Sequence, residues 1–183
     1  MPKGKTMAKI KLYDFPLSGN CYKIRLMLSM LELDYESIPV DLAGGETQTD
    51  EFKKINPRGL VPVLVDKDNI IWDSMAILAY LAKEYGGERW LPLESIALAK
   101  VMQWLAVSEN ELLYGLARSR AYFLFKRPFN LEQCQADAHI GLATMDEQLT
   151  KQAWLATDKP TIADVACYPY VSLAHQGEVS IVH

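Results

Sequence analysis

The hydrophobic positions in the first half of the chain follow two different periods. Residues 10–15 alternate apolar and polar side chains, which is the pattern of a strand with one buried face. Residues 24–31 place apolar side chains at the i, i+3, i+4 and i+7 positions of an amphipathic helix. The same patterns predict strands at 35–40, 61–65 and 70–72 and helices at 51–55 and 74–85. The order β-α-β, a link and then β-β-α predicts a small sheet with helices packed on it.

The strand patterns stop after Leu91-Pro92, and helical periods fill the rest of the chain. Residues 96–116 form one long helical pattern. A second stripe follows at helical spacing, through Leu131, Cys134, Ala138, Leu142, Met145 and Leu149. Thr161 and Asp164 are spaced as a capping box and open a third helix toward Ala174. The sequence therefore predicts an α/β domain over residues 8–87, followed by an all-α domain over residues 93–183.

The composition is that of an ordinary globular protein. Of its 183 residues, 50% are hydrophobic and 23% are charged, and the formal net charge is -4. No basic cluster indicates a nucleic-acid partner. The three scattered cysteines, Cys21, Cys134 and Cys167, have no metal-ligand spacing, so neither a disulfide framework nor a metal site is expected. Since no apolar run resembles a signal peptide or a membrane span, we expect a cytoplasmic protein with no membrane partner.

Four short motifs follow one another along the chain. They are Phe-Pro-Leu-Ser-Gly-Asn-Cys at 15–21, Asn-Pro-Arg-Gly-Leu-Val-Pro-Val-Leu at 56–64, Asp-Ser-Met-Ala-Ile at 73–77 and the capping box at 161–164. Each motif alone is weak. In this order and spacing, however, they make nearly the whole chain similar to the cytosolic glutathione transferases, in particular the bacterial, serine-type, theta- or delta-like members.

This resemblance implies an N-terminal thioredoxin-like domain that binds glutathione and a C-terminal helical bundle that forms a second-substrate pocket. It implies a glutathione S-transferase, which conjugates the glutathione thiolate to small hydrophobic electrophiles in detoxification. Glutathione is then the co-substrate, and no metal is needed. The family forms homodimers that pair the first domain of one subunit with the second domain of its partner.

The resemblance places the peptide backbone of glutathione along Leu60, Val61 and Pro62. In the family the bond before this proline is cis, which turns the backbone N–H and C=O of the preceding residue outward. Val61 is then expected to form two hydrogen bonds with the cysteinyl part of glutathione, as a strand edge binds a peptide. Alternatively, the proline simply begins a strand, because it lacks the N–H that a ladder needs.

Asp73 and Ser74 lie where a predicted strand ends and a predicted helix begins. Both residue types are ordinary N-caps. A helix N-terminus also presents free N–H groups and a positive dipole, which suit a carboxylate. By resemblance, Ser74 donates to the γ-glutamyl carboxylate of glutathione, and Asp73, in place of the usual Glu, faces the amino group. The two roles are compatible, so the cap and the site are predicted to coincide.

Ser18 matches the catalytic serine of the serine-type members. A free thiol with a pKa of ~8.5 is mostly protonated at neutral pH, and lowering that pKa by about two units requires about 2.7 kcal/mol. A hydroxyl donor and a helix N-terminus, each contributing about 1 kcal/mol or slightly more, could supply this stabilisation. Ser18 is also suited to be a plain N-cap.

Neighbouring residues offer alternatives to Ser18. Asn20 could donate its side-chain amide to the sulfur, as some bacterial members do. Cys21 could form a mixed disulfide, which would make the protein a glutathione-dependent peroxidase or disulfide oxidoreductase, although a small buried hydrophobe is favoured there. Tyr13 is expected to point away from the thiol, because the tyrosine of other classes matches Asp14 and strand side chains alternate.

The resemblance is incomplete in two places. Where relatives hold the glycyl carboxylate with Gln, Lys or His, this chain has Gly59 and Leu60, so glutathione affinity is expected to be low unless a nearby basic residue substitutes. The candidates for that substitution are Arg58, Lys53 and Lys54. Relatives also continue for one or two more helices, so apolar surface and the outer wall of the second pocket are expected to be open here. These departures keep open a non-catalytic binding module.

Tyr114, Arg118 and Tyr122 are the candidates for the second-substrate pocket. Together with Phe123, they are predicted to follow the long helix, in a region that faces the sulfur in the family. Their aromatic rings suit a hydrophobic electrophile, and Arg118 could orient an anionic one. Core packing with a surface arginine explains the same pattern.

Overall fold

The computed structural model describes residues 10–181, which belong to two compact units. The first unit ends at Leu78 and the second begins at Ala79. This division lies ahead of the boundary at residues 87–93, so the limits 8–87 and 93–183 stay a prediction. The outermost positions of those limits, 8–9 and 182–183, lie outside the described residues.

A four-stranded mixed sheet forms the centre of the first unit. Its strands are β1 (Ile10–Asp14), β2 (Tyr35–Pro39), β3 (Val63–Asp66) and β4 (Asn69–Trp72). Their order is β2-β1-β3-β4; β1 runs parallel to β2 and antiparallel to β3, and β4 runs antiparallel to β3. Along β1, Ile10, Leu12 and Asp14 are buried, as the alternation predicts.

Three helices accompany this sheet: α1 (Gly19–Met30), α2 (Asp50–Ile55) and α3 (Ser74–Leu81). The division between the two units falls inside α3. The predicted β-α-β and β-β-α order, and with it the thioredoxin-like fold, is confirmed. The ring of Phe52, on α2, meets the ring of Tyr13 edge-on, with the centroids 6.2 Å apart. Tyr13 thus packs against the cluster of Val40, Phe52 and Val63, on the opposite face of β1 from Leu12 and Asp14.

Two predicted boundaries in this half were wrong. The strand predicted at 61–65 begins only at Val63, because Pro62 has no N–H to donate to a ladder. The helix predicted over 74–85 is α-helical only to Leu81 and continues as a π-helical segment, Ala82–Gly86. Gly87 follows with a φ of +66°, a conformation that glycine adopts without a Cβ clash.

The second unit consists of helices and their connections over the part that the structure describes. Its α-helices are α4 (Ser95–Val107), α5 (Arg118–Phe125), α6 (Leu131–Leu149) and α7 (Ile162–Ser172). The predicted helical bundle is confirmed, and α6 buries the predicted positions Cys134, Ala138 and Met145. Within residues 10–181, none of the helices combines the length and apolar character needed to cross a membrane.

The long helix predicted at 96–116 differs from the structure in its hydrogen bonding. A π-helical segment, Ser108–Ala117, joins α4 directly to α5. Tyr114, Arg118 and Tyr122 therefore lie on one continuous helical run and do not follow it, so this part of the prediction was wrong. A Cβ on Gly115 would lie 2.3 Å from the backbone nitrogen of Ala138, so glycine permits the close approach of α6 to this segment.

The capping box at the start of α7 is confirmed. The Thr161 hydroxyl oxygen accepts the Ala163 N–H at 3.2 Å, and the Asp164 carboxylate accepts the Thr161 N–H at 2.9 Å. The other carboxylate oxygen of Asp164 accepts the Leu155 N–H at 2.9 Å. Asp164 thus joins the preceding loop to the first turn of α7.

We expect Asp164→Ala to lower the free energy of unfolding by about 2 kcal/mol, because two backbone N–H groups lose a charged acceptor. Urea denaturation of the variant and of the wild type measures this difference. The matched control is Asp158→Ala, which removes an exposed aspartate from the same loop. Equal losses in the two variants would contradict a role for the Asp164 hydrogen bonds.

Candidate functional site

Three of the sequence motifs meet at one edge of the sheet in the first unit. Tyr13 pairs with Val63, and Val63 pairs with Trp72. The end of β1, the start of β3 and the end of β4 therefore lie side by side. The chain beyond these points carries the turn to α1, the Val61–Pro62 pair and the start of α3, so the candidates Ser18, Val61 and Ser74 are grouped around the same edge.

The loop before β3 is held in shape by Asn56, which is 2% exposed. Its amide nitrogen donates to the Leu60 carbonyl at 2.7 Å, and its amide oxygen accepts the Arg58 N–H at 3.0 Å. The peptide bond between Val61 and Pro62 is cis, as the resemblance implies. The Leu60 side chain is 49% exposed. Sequence reasoning missed Asn56, although an Asn-Pro pair that bonds the backbone two residues on is a known turn signal.

Ser18 closes the turn between β1 and α1 and caps the helix. Its N–H donates to the Phe15 carbonyl at 2.9 Å, and its hydroxyl oxygen accepts the Cys21 N–H at 3.2 Å. The plain N-cap considered in the sequence is therefore present. Since capping uses an oxygen lone pair, the hydroxyl keeps its proton for donation to another atom.

The two neighbouring candidates lie in the first turn of α1. The side-chain oxygen of Asn20 is buried and has no hydrogen-bond partner within residues 10–181. Cys21 is fully buried. Burial raises the pKa of its thiol to about 12, partly offset by hydrogen bonds with Ser18 and the Phe15 backbone, and Asp14 contributes further to the rise. Cys21 is therefore a neutral buried thiol, as expected from the sequence.

Asp73 and Ser74 form the start of α3. One carboxylate oxygen of Asp73 accepts the Met75 N–H at 3.0 Å, which is the predicted cap interaction. The other oxygen accepts the Arg58 guanidinium at 2.9 Å. Asp73 has a φ of +78°, which costs a non-glycine residue on the order of 1–3 kcal/mol. Ser74, the first residue of the helix, is 3% exposed.

Two of the three basic residues considered for the glycyl carboxylate, Arg58 and Lys54, form ion pairs within the protein. Arg58 pairs with Asp73, and Lys54 pairs with Glu51 at 2.6 Å. The Lys54 pair lies on an exposed helix face, where such pairs are weak. The bond from Arg58 to Asp73 instead ties the loop before β3 to the start of α3.

An ion pair that sequence reasoning missed lies beside the Ser18 turn. Asp14, at the end of β1, binds the Arg25 guanidinium, and Arg25 also donates to the Pro16 carbonyl at 3.1 Å. The side chain of Asp14 is only 8% exposed. The signal was the inward-facing series Ile10, Leu12 and Asp14, because a carboxylate on a buried face requires a partner.

In the second unit, Tyr114 and Arg118 come together. The guanidinium of Arg118 lies 4.1 Å from the ring centroid of Tyr114 and 5.1 Å from that of Phe129. Tyr122 contacts Phe123, with the ring centroids 5.2 Å apart.

A cavity of about 280 Å³ beside Tyr114 is lined by Asn110, Glu111, Tyr114, Asp137 and Ile140.

A second groove, of about 380 Å³, lies along α6. Its lining is mostly apolar and includes Leu142, Met145, Leu149, Val171 and Ile181. Within residues 10–181, no three His, Cys, Asp or Glu side chains are grouped so that they could hold a metal ion.

Comparison with protein families supports the resemblance seen in the motifs. Residues 8–83 match the family described as glutathione S-transferase, N-terminal domain. Glutathione S-transferase 3 of Zea mays is 33% identical over 86% of this chain and 75% of its own length. The disulfide-bond oxidoreductase YfcG of Escherichia coli is 31% identical over 89% of this chain and 79% of its own length.

Solved structures match both halves of the chain. A glutathione S-transferase from Pseudomonas fluorescens Pf-5 has a TM-score of 0.87 and 34% identity, covering 93% of this chain and 87% of its own. A glutathione transferase homologue from Drosophila mojavensis, solved with bound glutathione, has a TM-score of 0.82 and 27% identity, covering 91% of this chain and 77% of its own.

Proposed function

The chain belongs to the glutathione S-transferase family, and on this premise we propose that it conjugates the glutathione thiolate to small hydrophobic electrophiles. The observation that carries the proposal is the grouping of the Ser18 turn, the Val61–Pro62 pair and the start of α3 at one edge of the sheet. Helices α1 and α3 both begin at this edge, and the N-terminus of each helix favours a negative charge.

Glutathione is proposed to lie along this edge in an extended form. The backbone of Val61 pairs with the cysteinyl part, flanked by Leu60 and Pro62, as a strand pairs with a sheet edge. The γ-glutamyl carboxylate lies at the start of α3, where the Ser74 hydroxyl and the Ser74 backbone N–H donate to it, while the Met75 N–H remains bound to Asp73. The Asp73 carboxylate, which also holds Arg58, faces the glutathione amino group.

The chemical role of the site is to hold the glutathione sulfur as a thiolate. The Ser18 hydroxyl donates to the sulfur while its oxygen remains the cap of α1. Asn20 is the alternative donor from the same helix turn. The thiol proton is released to solvent, the thiolate sulfur forms a bond to the electrophilic carbon, and the leaving group, such as the halide of an aryl halide, departs with its electron pair. Neither a covalent enzyme intermediate nor a metal is required.

The electrophile is proposed to bind beside the helical run that carries Tyr114, Arg118 and Tyr122. The aromatic rings suit a hydrophobic electrophile, and Arg118, whose guanidinium lies 4.1 Å from the centroid of the Tyr114 ring, could orient an anionic one. By analogy with the family, we also propose a homodimer, which size-exclusion chromatography with light scattering tests directly.

The proposed activity is tested with glutathione and a generic aryl halide. We expect retention of the protein on immobilised glutathione and a rate of conjugation above the uncatalysed reaction. Retention without turnover would instead support a non-catalytic binding module. Failure of both would contradict the proposed function.

A second candidate is a glutathione-dependent disulfide oxidoreductase or peroxidase. The E. coli relative named as a disulfide-bond oxidoreductase favours it. Cys21 is a poor nucleophile for that reaction, since its thiol is buried and its pKa is about 12. Any such activity would have to proceed through glutathione itself.

We accordingly expect no mixed disulfide at Cys21 when the folded protein is incubated with glutathione disulfide at pH 7. Mass spectrometry of the intact protein and of its peptides measures this. The internal comparison is the denatured chain, in which all three cysteines, buried in the fold, become reactive. Rapid modification of Cys21 in the folded protein would contradict this expectation and favour the oxidoreductase.

A further inference from the structure

We propose that Asp14 and Arg25 are positioning residues that set the geometry and the charge around the Ser18 hydroxyl. This inference rests on the proposed function, in which the partner of that hydroxyl is the glutathione sulfur. The pair links the end of β1 to the second turn of α1, eleven residues apart in sequence.

Arg25 joins three parts of the structure around the turn. One guanidinium nitrogen binds the Asp14 carboxylate, and another donates to the Pro16 carbonyl at 3.1 Å. The guanidinium carbon lies 5.8 Å from the centroid of the Tyr22 ring. Because the donors of a guanidinium are planar and fixed in direction, these contacts hold the turn in one position relative to α1. Ser18 closes the same turn through its bond to Phe15.

The ion pair also removes a charge that would oppose the reaction. Asp14 is 5% exposed, and the Ser18 turn leads directly from it. An unpaired carboxylate there would repel a nearby thiolate and raise its pKa, strongly so at a buried site. Arg25 compensates this charge. Loss of Arg25 therefore frees the turn and also uncovers a negative charge.

Asp14 further limits a competitor for the Ser18 proton. The side chains of Ser18 and Asp14 act in opposite directions on the pKa of the Cys21 thiol: Ser18 lowers it and Asp14 raises it. A thiolate at Cys21 would attract the Ser18 hydroxyl and withdraw it from glutathione. Burial, with a contribution from Asp14, keeps the Cys21 pKa high, so the thiol stays neutral. The Ser18 hydroxyl is thereby left for a second sulfur.

The test uses the single variants Arg25→Gln, Arg25→Lys and Ser18→Gly, together with the double variant that carries both Arg25→Gln and Ser18→Gly. For each variant, kcat, the KM for glutathione and the pKa of bound glutathione are measured, the pKa from thiolate absorbance against pH. We expect Arg25→Gln to lower kcat about tenfold and raise the thiol pKa by about one unit, with little change in KM. In a protein that already carries Ser18→Gly, the same change should lower kcat by clearly less than tenfold, because the positioning effect on the hydroxyl is lost and only the uncovered Asp14 charge still acts on the thiolate.

Arg25→Lys keeps a positive charge at Asp14 but cannot reach Asp14 and Pro16 in the same way. It should fold and show a smaller rise of the thiol pKa, so it decides the matter if Arg25→Gln does not fold. The proposal would be overturned if the Arg25 variants kept the kcat and the thiol pKa of the wild type. It would also be overturned if Arg25→Gln lowered kcat equally in the wild-type protein and in the Ser18→Gly protein. If Ser18→Gly itself leaves the thiol pKa unchanged, the role of Ser18 fails instead.

Lys151→Gln is the matched control for the loss of an ion pair. Lys151 pairs with Glu147 at 2.7 Å on an exposed face of the second unit. The variant should keep the wild-type thiol pKa and kcat, since exposed pairs contribute little. A similar rise of the thiol pKa in this control would overturn the assignment to Asp14 and Arg25.

Discussion

Replacing Ser18 with glycine is expected to lower kcat/KM for glutathione conjugation by about tenfold, because losing one hydroxyl donor, worth about 1 kcal/mol or slightly more, raises the pKa of the bound thiol by about one unit. Without the hydroxyl, only the dipole of α1 remains to stabilise the thiolate, so more of the bound glutathione stays protonated at pH 7. Glycine is the suitable replacement, because it costs an N-cap only a few tenths of a kcal/mol, whereas alanine costs about 1 kcal/mol. Steady-state kinetics against pH measures the loss.

Two further variants make this result specific. Ser18→Thr keeps both the hydroxyl and the cap of α1, so it should retain most of the activity. Asn20→Ala removes the alternative donor and should reduce kcat/KM by less than about threefold, within the effect of a weak neutral hydrogen bond. If kcat/KM fell strongly in Asn20→Ala and only slightly in Ser18→Gly, the Asn20 amide would be the group that stabilises the thiolate.

Replacing Ser74 with alanine is expected to raise the KM for glutathione about thirtyfold and to leave kcat nearly unchanged. A hydrogen bond to a charged carboxylate contributes about 1.5–3 kcal/mol. The γ-glutamyl carboxylate is remote from the sulfur, so this interaction stabilises the ground state and the transition state alike. Helix α3 should remain intact, since its cap is the Asp73 carboxylate, which accepts the Met75 N–H at 3.0 Å.

Ser95→Ala is the matched control for this experiment. Ser95 is the first residue of α4, and the Glu94 carboxylate caps that helix as Asp73 caps α3. The substitution therefore changes an equivalent first-turn serine in the second unit. We expect wild-type KM and kcat for Ser95→Ala; a thirtyfold rise of KM there, or a fall of kcat in Ser74→Ala, would contradict the assigned carboxylate contact.

The predictions from hydrophobic period were accurate where one face of an element is buried. The alternation of β1 follows this rule, and the capping box at Thr161 marked the start of α7. The middle of the predicted α6 stripe is buried, whereas Leu149 at its end is 43% exposed. The spacing of apolar residues did not predict the structure correctly where the type of helix depends on backbone hydrogen bonding. Ten residues of π-helix, Ser108–Ala117, bury apolar positions much as an α-helix does, so their spacing did not reveal the change.

The motifs predicted which segments form the candidate site, but not the contacts that hold them. Asp14 and Arg25 are separated by 11 residues, and Arg58 and Asp73 by 15. Alternation along β1 indicates that Asp14 is buried, yet it cannot identify which of several basic side chains reaches it. That choice depends on where α1 lies on the sheet, which is a property of the packed structure.

The pKa of the glutathione thiol in the complex is the most direct test of this account. It is obtained from the ultraviolet absorbance of the thiolate as pH is varied at saturating glutathione. We predict a value about two units below the ~8.5 of a free thiol for the wild type, and a value about one unit higher than the wild type for Ser18→Gly, in which the dipole of α1 still stabilises the thiolate. A bound thiol that titrates at its free-solution pKa in the wild-type protein would contradict the account.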